Sequence, residues 1–174
     1  MNAKDYARKL VDSRLYRETG GPNRGPALNM MADTLGFPHG LSWCAIFQSY
    51  VFKLARDSGE QGIAFHPTAG SQDLLGWFTE HGWTSHNPQD TLHWKGALII
   101  RTDPGGEHGH VALVESRFTD DHGTVVSLGT LEGNTDVHGG SNGDGAYARV
   151  RPVPLAPYVW TYCNTSLIAG GSWW

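Results

Sequence analysis

The sequence predicts an α+β domain, with N-terminal helices packed on a mostly antiparallel C-terminal β-sheet. In the first half of the chain, apolar residues recur at the three- and four-residue spacing of amphipathic helices. In the second half, short runs rich in β-branched and aromatic residues are separated by turns that contain glycine. Helices followed by consecutive strands are typical of an α+β domain. The 174 residues carry neither an internal repeat nor a long linker, so residues 1–174 are predicted to form a single domain.

Four helices are predicted from apolar spacing and from the residues able to cap them. They cover residues 6–15, 27–35, 43–54 and 71–80. Gly36 is the expected C-cap of the second helix, and Ser42 is the expected N-cap of the third. Cys44 falls in the first turn of the third helix, where the positive end of the helix dipole favours a thiolate. A cysteine at this position is a candidate nucleophile, although most lone cysteines pack as small apolar residues.

Five strands are predicted in the second half of the chain from their β-branched and aromatic residues. They cover residues 97–100, 111–114, 124–131, 147–153 and 158–162. The turns between them are expected at residues 104–106, 121–123 and 138–145, where glycine is frequent. Because consecutive strands follow one another directly, we expect most neighbours in the sheet to be antiparallel.

Composition argues against several classes of function. The formal net charge is −4 and no run of basic residues occurs, so neither nucleic acid nor an anionic membrane surface is an expected partner. Two cysteines are too few for a disulfide framework. Residues 1–17 are polar and charged, unlike a secretory signal, and no segment has the apolar length of a transmembrane helix. We therefore expect a monomer that is made in the cytoplasm without a signal peptide.

Three residues beyond Cys44 complete a candidate catalytic group. His110 stands at the start of a predicted strand, and Glu132 and Asn134 close the next one. If these strands are antiparallel, the end of the second lies beside the start of the first, and residues two positions apart share one face. In such a group a thiolate attacks a carbonyl, an imidazole transfers the proton, and a carboxylate or amide orients the imidazole.

The motifs around these residues resemble those of CHAP domains, the cysteine, histidine-dependent amidohydrolases/peptidases. Residues 43–47, W-C-A-I-F, are similar to the family's W-C-A-x-F opening, and residues 109–114, G-H-V-A-L-V, to its G-H-V-x-[IVL]-V strand. Residues 132–134 match its E-G-N strand end. The resemblance covers about residues 5–153, and the tail, 154–174, has no counterpart. It implies a papain-like fold and cleavage of amide bonds in peptidoglycan, by an N-acetylmuramoyl-L-alanine amidase or by an endopeptidase acting on stem or cross-bridge peptides.

The resemblance implies a role for each motif residue of this chain. Cys44 would be the nucleophile, His110 the general base and acid, and Glu132 the group that orients the imidazole. Asn134 would assist this orientation or polarise the oxyanion region. The backbone N–H of Cys44, at the start of its helix, is the natural first oxyanion donor.

Two further positions and two departures from the family pattern bear on the site. Trp43 and Gly109, next to the nucleophile and the base, are candidate substrate-contacting residues, although an indole at position 43 fits the core as well. Many relatives have Gly-Asp where this chain has Gly96-Ala97, so any role of that aspartate is absent. The acidic loop with which some relatives hold calcium has no counterpart in residues 1–29. Neither a metal nor a cofactor is expected.

A zinc site is the alternative catalytic interpretation. Residues 86–90 read H-x-x-x-D and residues 108–110 read H-x-H, which superficially resembles the zinc ligands of lysostaphin-type endopeptidases. The two pieces lie close together in sequence, and this interpretation leaves Cys44 and the E-G-N motif unexplained. A third interpretation is a non-catalytic wall-binding module that keeps the fold. The intact cysteine, histidine and glutamate argue against it.

A peptidoglycan hydrolase without a signal peptide needs another route to the cell wall. A phage endolysin released through holin-type membrane holes has one, and so does an antibacterial effector delivered by a type VI-like secretion device. An effector would be expected to have a cognate immunity protein that plugs the cleft. We therefore expect bacterial peptidoglycan as the partner and the wall, in the periplasm or outside the cell, as the place of action. A cytoplasmic hydrolase of small peptides is the remaining alternative.

Overall fold

The computed structural model describes residues 1–63, 65–138, 140, 142–153 and 158–166. Within these residues, four α-helices precede a sheet of six strands. All neighbouring strands of the sheet are antiparallel. The predicted α+β class is therefore confirmed.

The four helices are α1 (Ala3–Ser13), α2 (Pro26–Leu35), α3 (Cys44–Asp57) and α4 (Ser71–Glu80). Asn2 caps α1 in a capping box with Asp5. Arg14, in the left-handed conformation, ends α1 earlier than the apolar spacing predicted. Gly36 ends α2 as predicted, with a φ of 75° that glycine adopts without steric cost.

Helix α3 differs from its prediction at its start and in its burial. It begins at Cys44 with Trp43 at the N-cap position and no side-chain cap, so the prediction of Ser42 as the N-cap is wrong. The Ser42 hydroxyl instead lies 3.5 Å from Asn142 Oδ1. Every residue from Cys44 to Phe52 is buried, because α1, α2 and the sheet all contact this helix.

None of the described helices combines the length and the apolar character that a membrane span requires.

The strands appear in the sheet in the order β1-β6-β2-β3-β4-β5. Their bounds are β1 (Thr84–Ser85), β2 (Ala97–Thr102), β3 (Gly109–Thr119), β4 (Val125–Thr135), β5 (Gly145–Pro152) and β6 (Val159–Asn164). Strand β1 and a 3-10 helix (Pro88–His93) were not predicted, because both are too short to show a period in the sequence.

Strand β6 lies inside the sheet rather than at its edge. It pairs with β2 from Ala97↔Asn164 to Thr102↔Val159, and with β1 on its other side. These residues belong to the tail beyond residue 153, where the family resemblance ends. The tail therefore supplies a strand to the sheet, and Cys163 within it is fully buried.

Each face of the sheet packs in a separate apolar cluster. Leu131 belongs to the cluster that the helices cover, whereas Ala112 and Leu128 belong to the cluster on the other face. Thr130 and Glu132 follow Leu128 at every second position of β4, so they continue this second face.

Candidate active site

The antiparallel pairing of β3 and β4 brings His110 and Glu132 together. Leu113 pairs with Leu131, so the start of β3 lies beside the end of β4. His110 Nε2 is 2.9 Å from Glu132 Oε2, and neither side chain is exposed to solvent. An ionised carboxylate can only accept hydrogen bonds, so Nε2 carries a proton and donates it to Glu132. This bond fixes the orientation of the ring.

Glu132 is also held by two other side chains. Its Oε1 accepts hydrogen bonds from Arg151 Nε at 2.8 Å and from the Thr130 hydroxyl, and its Oε2 accepts one from Arg151 Nη2. Burial would raise the pKa of this carboxyl, but the hydrogen bonds and charges of His110 and Arg151 outweigh burial and lower the pKa to about 2. Glu132 therefore presents a permanent negative charge to the imidazole at neutral pH.

The second ring nitrogen of His110 is Nδ1, and the Cys44 thiol adjoins this imidazole. Nδ1 is buried and has no hydrogen-bond partner of good geometry among the described residues. The Cys44 thiol is close enough to this imidazole for the two groups to shift each other's pKa. With Nε2 engaged by Glu132, Nδ1 is the atom that can exchange a proton with the thiol.

The surroundings of this pair favour thiolate and imidazolium. Burial alone would raise the pKa of the Cys44 thiol, but the adjacent His110 and the backbone N–H groups of Val111 and Ala45 outweigh it, and the pKa is lowered. For His110, burial would lower the pKa, but interactions with Cys44 and Glu132 prevail and raise it to about 9. Transfer of the thiol proton to the imidazole is therefore favoured, which activates Cys44 as a nucleophile.

Two motif glycines allow close packing near Cys44 and His110. A Cβ at Gly133 would lie 2.5 Å from the Cβ of Phe47, so any larger residue would push β4 away from α3, the helix that begins at Cys44. A Cβ at Gly109 would lie 2.0 Å from the Arg101 carbonyl oxygen on the neighbouring strand. The glycines of the G-H and E-G-N motifs thus serve packing.

Asn134 and Trp43 have polar partners other than Cys44 and His110. Asn134 adopts a φ of 55°, its Nδ2 donates to Asn142 Oδ1 at 3.5 Å, and its Oδ1 is buried without a partner among the described residues. Within the described residues, Asn134 makes no hydrogen bond to His110. Trp43, a candidate substrate contact, is 2% exposed, and its indole N–H donates to Glu18 at 3.2 Å. The structure therefore places Trp43 in the core, because its ring packs edge-on against Phe47 of α3 rather than along an open surface.

A cleft of about 290 Å³ opens beside Cys44. Its walls are formed by the start of α4 and by the turn between β2 and β3. Gly109, a candidate substrate-contacting residue, lines the cleft, whereas the Trp43 indole does not. The exposed carboxylates of Asp73 and Glu107 make the walls acidic.

Other residues with metal-binding or nucleophilic potential lie apart from this group. Among the described residues, no cluster of three or more His, Cys, Asp or Glu side chains could hold a metal ion. A catalytic zinc needs three protein ligands, and His86, Asp90, His108 and His110 do not form such a group. Asp90 instead accepts a hydrogen bond from the Ser85 hydroxyl at 2.5 Å. Cys163 is a free thiol, and burial raises its pKa.

Arg151 and Thr130 both contact Glu132, and neither was predicted from the sequence. No motif contains either residue. Arg151 pairs in register with Leu128, so its side chain reaches Glu132 diagonally along the sheet. Two-residue alternation places arginine 151 on the same face as the carboxylate, and this is the signal that could have revealed it.

Comparison with known proteins gives a structural likeness but no sequence match. No protein-family model matches the chain, and no curated protein matches it. The structure is similar to the crystal structure of the P60 domain from the M. avium subspecies paratuberculosis antigen MAP1204, with 19% sequence identity, a TM-score of 0.38 and coverage of 93% of both chains. With values this low, the likeness does not identify the family of this chain.

Proposed function

We propose that this protein is a cysteine hydrolase that cleaves an amide bond of bacterial peptidoglycan, as an N-acetylmuramoyl-L-alanine amidase or an endopeptidase. The observation that carries the proposal is the series of contacts from Cys44 through His110 to Glu132, beside an open cleft. The choice of peptidoglycan as substrate rests on the resemblance of the three motifs to CHAP domains.

Acylation starts from the Cys44 thiolate and the His110 imidazolium. The thiolate attacks the carbonyl carbon of the scissile amide and forms a tetrahedral oxyanion. The backbone N–H of Cys44 can donate to this oxyanion, because Cys44 is the first residue of α3 and its N–H has no partner within the helix. The proton on His110 Nδ1 passes to the leaving amine as the C–N bond breaks. A thioester and a neutral imidazole remain.

Deacylation reverses the part played by His110. The neutral Nδ1 takes a proton from water, and the resulting hydroxide attacks the thioester carbonyl. Collapse of the tetrahedral intermediate expels the Cys44 thiolate and releases the carboxylic acid product, while the imidazolium is restored. Glu132 accepts from Nε2–H in both steps, so the ring keeps its orientation.

The first experiment is turnover of purified peptidoglycan by the wild type and by Cys44→Ala, each with and without a chelator. We expect the wild type to release products whether or not chelator is present, and Cys44→Ala to release none. Product masses then name the bond that is cut. Chelator-sensitive activity that survives in Cys44→Ala would disprove the thiol mechanism. The absence of turnover by the wild type would favour a wall-binding module or a substrate outside the wall.

We further infer a bacteriolytic role, as a phage endolysin or as a delivered effector with its own immunity protein. Only the family resemblance supports this role. It is tested by expressing the chain in bacteria with and without an added periplasmic leader. Lysis that requires both the leader and Cys44 is expected. Toxicity without a leader would favour a cytoplasmic hydrolase of small peptides.

A further inference from the structure

We propose that Arg151 is a positioning residue of this site. Its guanidinium keeps Glu132 ionised and offsets the negative charge of that carboxylate, which sets the pH range in which Cys44 and His110 work. The inference rests on the proposed thiol mechanism. It assigns a function to a residue outside the three motifs.

The contact between Arg151 and Glu132 is bidentate and largely buried. Nε donates to one carboxylate oxygen at 2.8 Å and Nη2 donates to the other. The Arg151 side chain is 13% exposed and that of Glu132 is not exposed at all. Arg151 also lies over the Trp160 ring, with its Cζ 5.7 Å from the ring centroid. A planar guanidinium in such a fork holds both oxygens in place, which leaves Oε2 directed at His110.

Arg151 also balances the charge of the buried group. The thiolate and the carboxylate are negative, whereas the imidazolium and the guanidinium are positive, so the four groups together are neutral. A buried group with uncompensated charge is costly in an interior of low dielectric constant. Removing one nearby positive charge raises every neighbouring pKa. Without Arg151, Glu132 would take up a proton at higher pH, and His110 would keep its proton to higher pH.

Among the described residues, Arg151 is the arginine that contacts Glu132. Register pairing places three other arginines on the same face of the sheet. Their polar partners are the Val137 carbonyl for Arg149, the Trp94 carbonyl for Arg117 and the Asp103 carboxylate for Arg101. From the helical side, Cys44 is the titratable group that adjoins His110.

The test compares the pH dependence of Cys44 alkylation by iodoacetamide in four variants. Arg151→Met and Arg151→Gln remove the charge, Arg151→Lys keeps it, and Arg149→Met removes a charge from the same strand without touching Glu132. We expect the midpoint of alkylation to rise by about one pH unit or more in the Met and Gln variants of Arg151. It should stay close to wild type in Arg151→Lys and in Arg149→Met. The pH profile of turnover should move in the same direction.

The outcomes separate this inference from the proposed function. A low midpoint shared by the wild type, Arg151→Met and Arg151→Gln would overturn the role of Arg151 and leave the thiol mechanism intact. A shift in Arg151→Lys as large as in Arg151→Met would point to lost packing and would also overturn charge sharing. If Arg151→Met does not fold, the contrast between Gln and Lys decides. A wild-type midpoint near 9, as for an ordinary thiol, would contradict the proposed function itself.

Discussion

The two cysteines of this protein are both free and both buried, yet their surroundings act on them in opposite directions. Cys163 lies in β6 without exposure, and burial raises the pKa of its thiol. Cys44 begins α3 and is also subject to burial, but an imidazole and two backbone N–H groups outweigh it and lower the pKa. Burial therefore does not decide whether a thiol is inert. The groups that could stabilise its charge decide this.

Exchanging each cysteine for alanine tests the contrast with the largest expected effect. Cys44→Ala should lower turnover of peptidoglycan by a factor of at least about 10⁴, as for nucleophiles that act together with a base. Cys163→Ala should keep turnover within about threefold of wild type and lower the melting temperature, because it opens a small gap in the core. Comparable turnover loss in both variants, with both folded, would contradict the division between a reactive and an inert thiol.

Alkylation measures the same contrast without a substrate. At neutral pH, iodoacetamide should modify Cys44 at least about 100 times faster than Cys163, since Cys44 lines a cleft and has a lowered pKa, whereas Cys163 is fully buried and has a raised pKa. Peptide mass mapping gives both rates in one sample. His110→Ala should slow the reaction of Cys44 near pH 7 by raising its pKa, and should leave Cys163 unchanged. Rapid labelling of Cys163 in the folded protein would break the comparison.

The charges around Cys44 also make stability depend on pH. Glu132 has its pKa lowered from 4.5 to about 2, so its contribution is complete above pH 4.5 and is lost as the pH falls towards 2. His110 has its pKa raised from 6.5 to about 9, so its contribution is complete below pH 6.5 and is lost as the pH rises through 9. The two contributions are both complete between pH 4.5 and 6.5.

Melting temperatures of the wild type and Glu132→Gln across pH check this window. The advantage of the wild type should be several degrees between pH 4.5 and 6.5, and should shrink on both sides. Cys163→Ala is the control, because its difference from the wild type should not vary between pH 3 and 8. An advantage over Glu132→Gln that is constant across pH would mean that Glu132 contributes only by packing.

The smallest effect concerns the glycine that lets β4 approach α3. Gly133→Ala should lower the free energy of unfolding by about 1–3 kcal/mol, because its Cβ would meet Phe47 at 2.5 Å. It should also raise the pH midpoint of Cys44 alkylation, by moving Glu132 and α3 apart, and leave Cys163 unreactive. Gly76→Ala, in α4 with open space around it, is the matched control and should stabilise by up to about 1 kcal/mol. Chemical denaturation of the wild type, Gly133→Ala and Gly76→Ala measures the two changes in the free energy of unfolding.

The fold class and the meeting of His110 with Glu132 could be predicted because they depend on local patterns. Two consecutive strands that a short turn joins form an antiparallel pair, and this pairing places the start of β3 beside the end of β4. The helix boundary at Cys44 could not be read from Ser42, because the helix begins after Trp43 without any side-chain cap. Such boundaries depend on tertiary contacts that no single-residue preference encodes.

The contact between Arg151 and Glu132 was missed for a different reason. It depends on the register between β4 and β5, which shifts at an irregularity between Glu132 and Thr135. A sequence pattern gives the face of a residue but not how far along the neighbouring strand its partner lies. Asn134 shows the same limit, because its left-handed backbone turns the side chain towards Asn142 rather than His110.

The position of β6 in the sheet has a consequence for the order in which the chain acquires its activity during synthesis. Cys44, His110, Glu132 and Arg151 all leave the ribosome before β6, the strand that closes the open side of β2. Until residues 159–164 emerge, β2 presents unpaired backbone groups that can pair with another nascent chain. An incomplete chain therefore carries Cys44, His110, Glu132 and Arg151 on a sheet that still lacks β6, so we expect any activity of this group to be complete only once β6 has been translated.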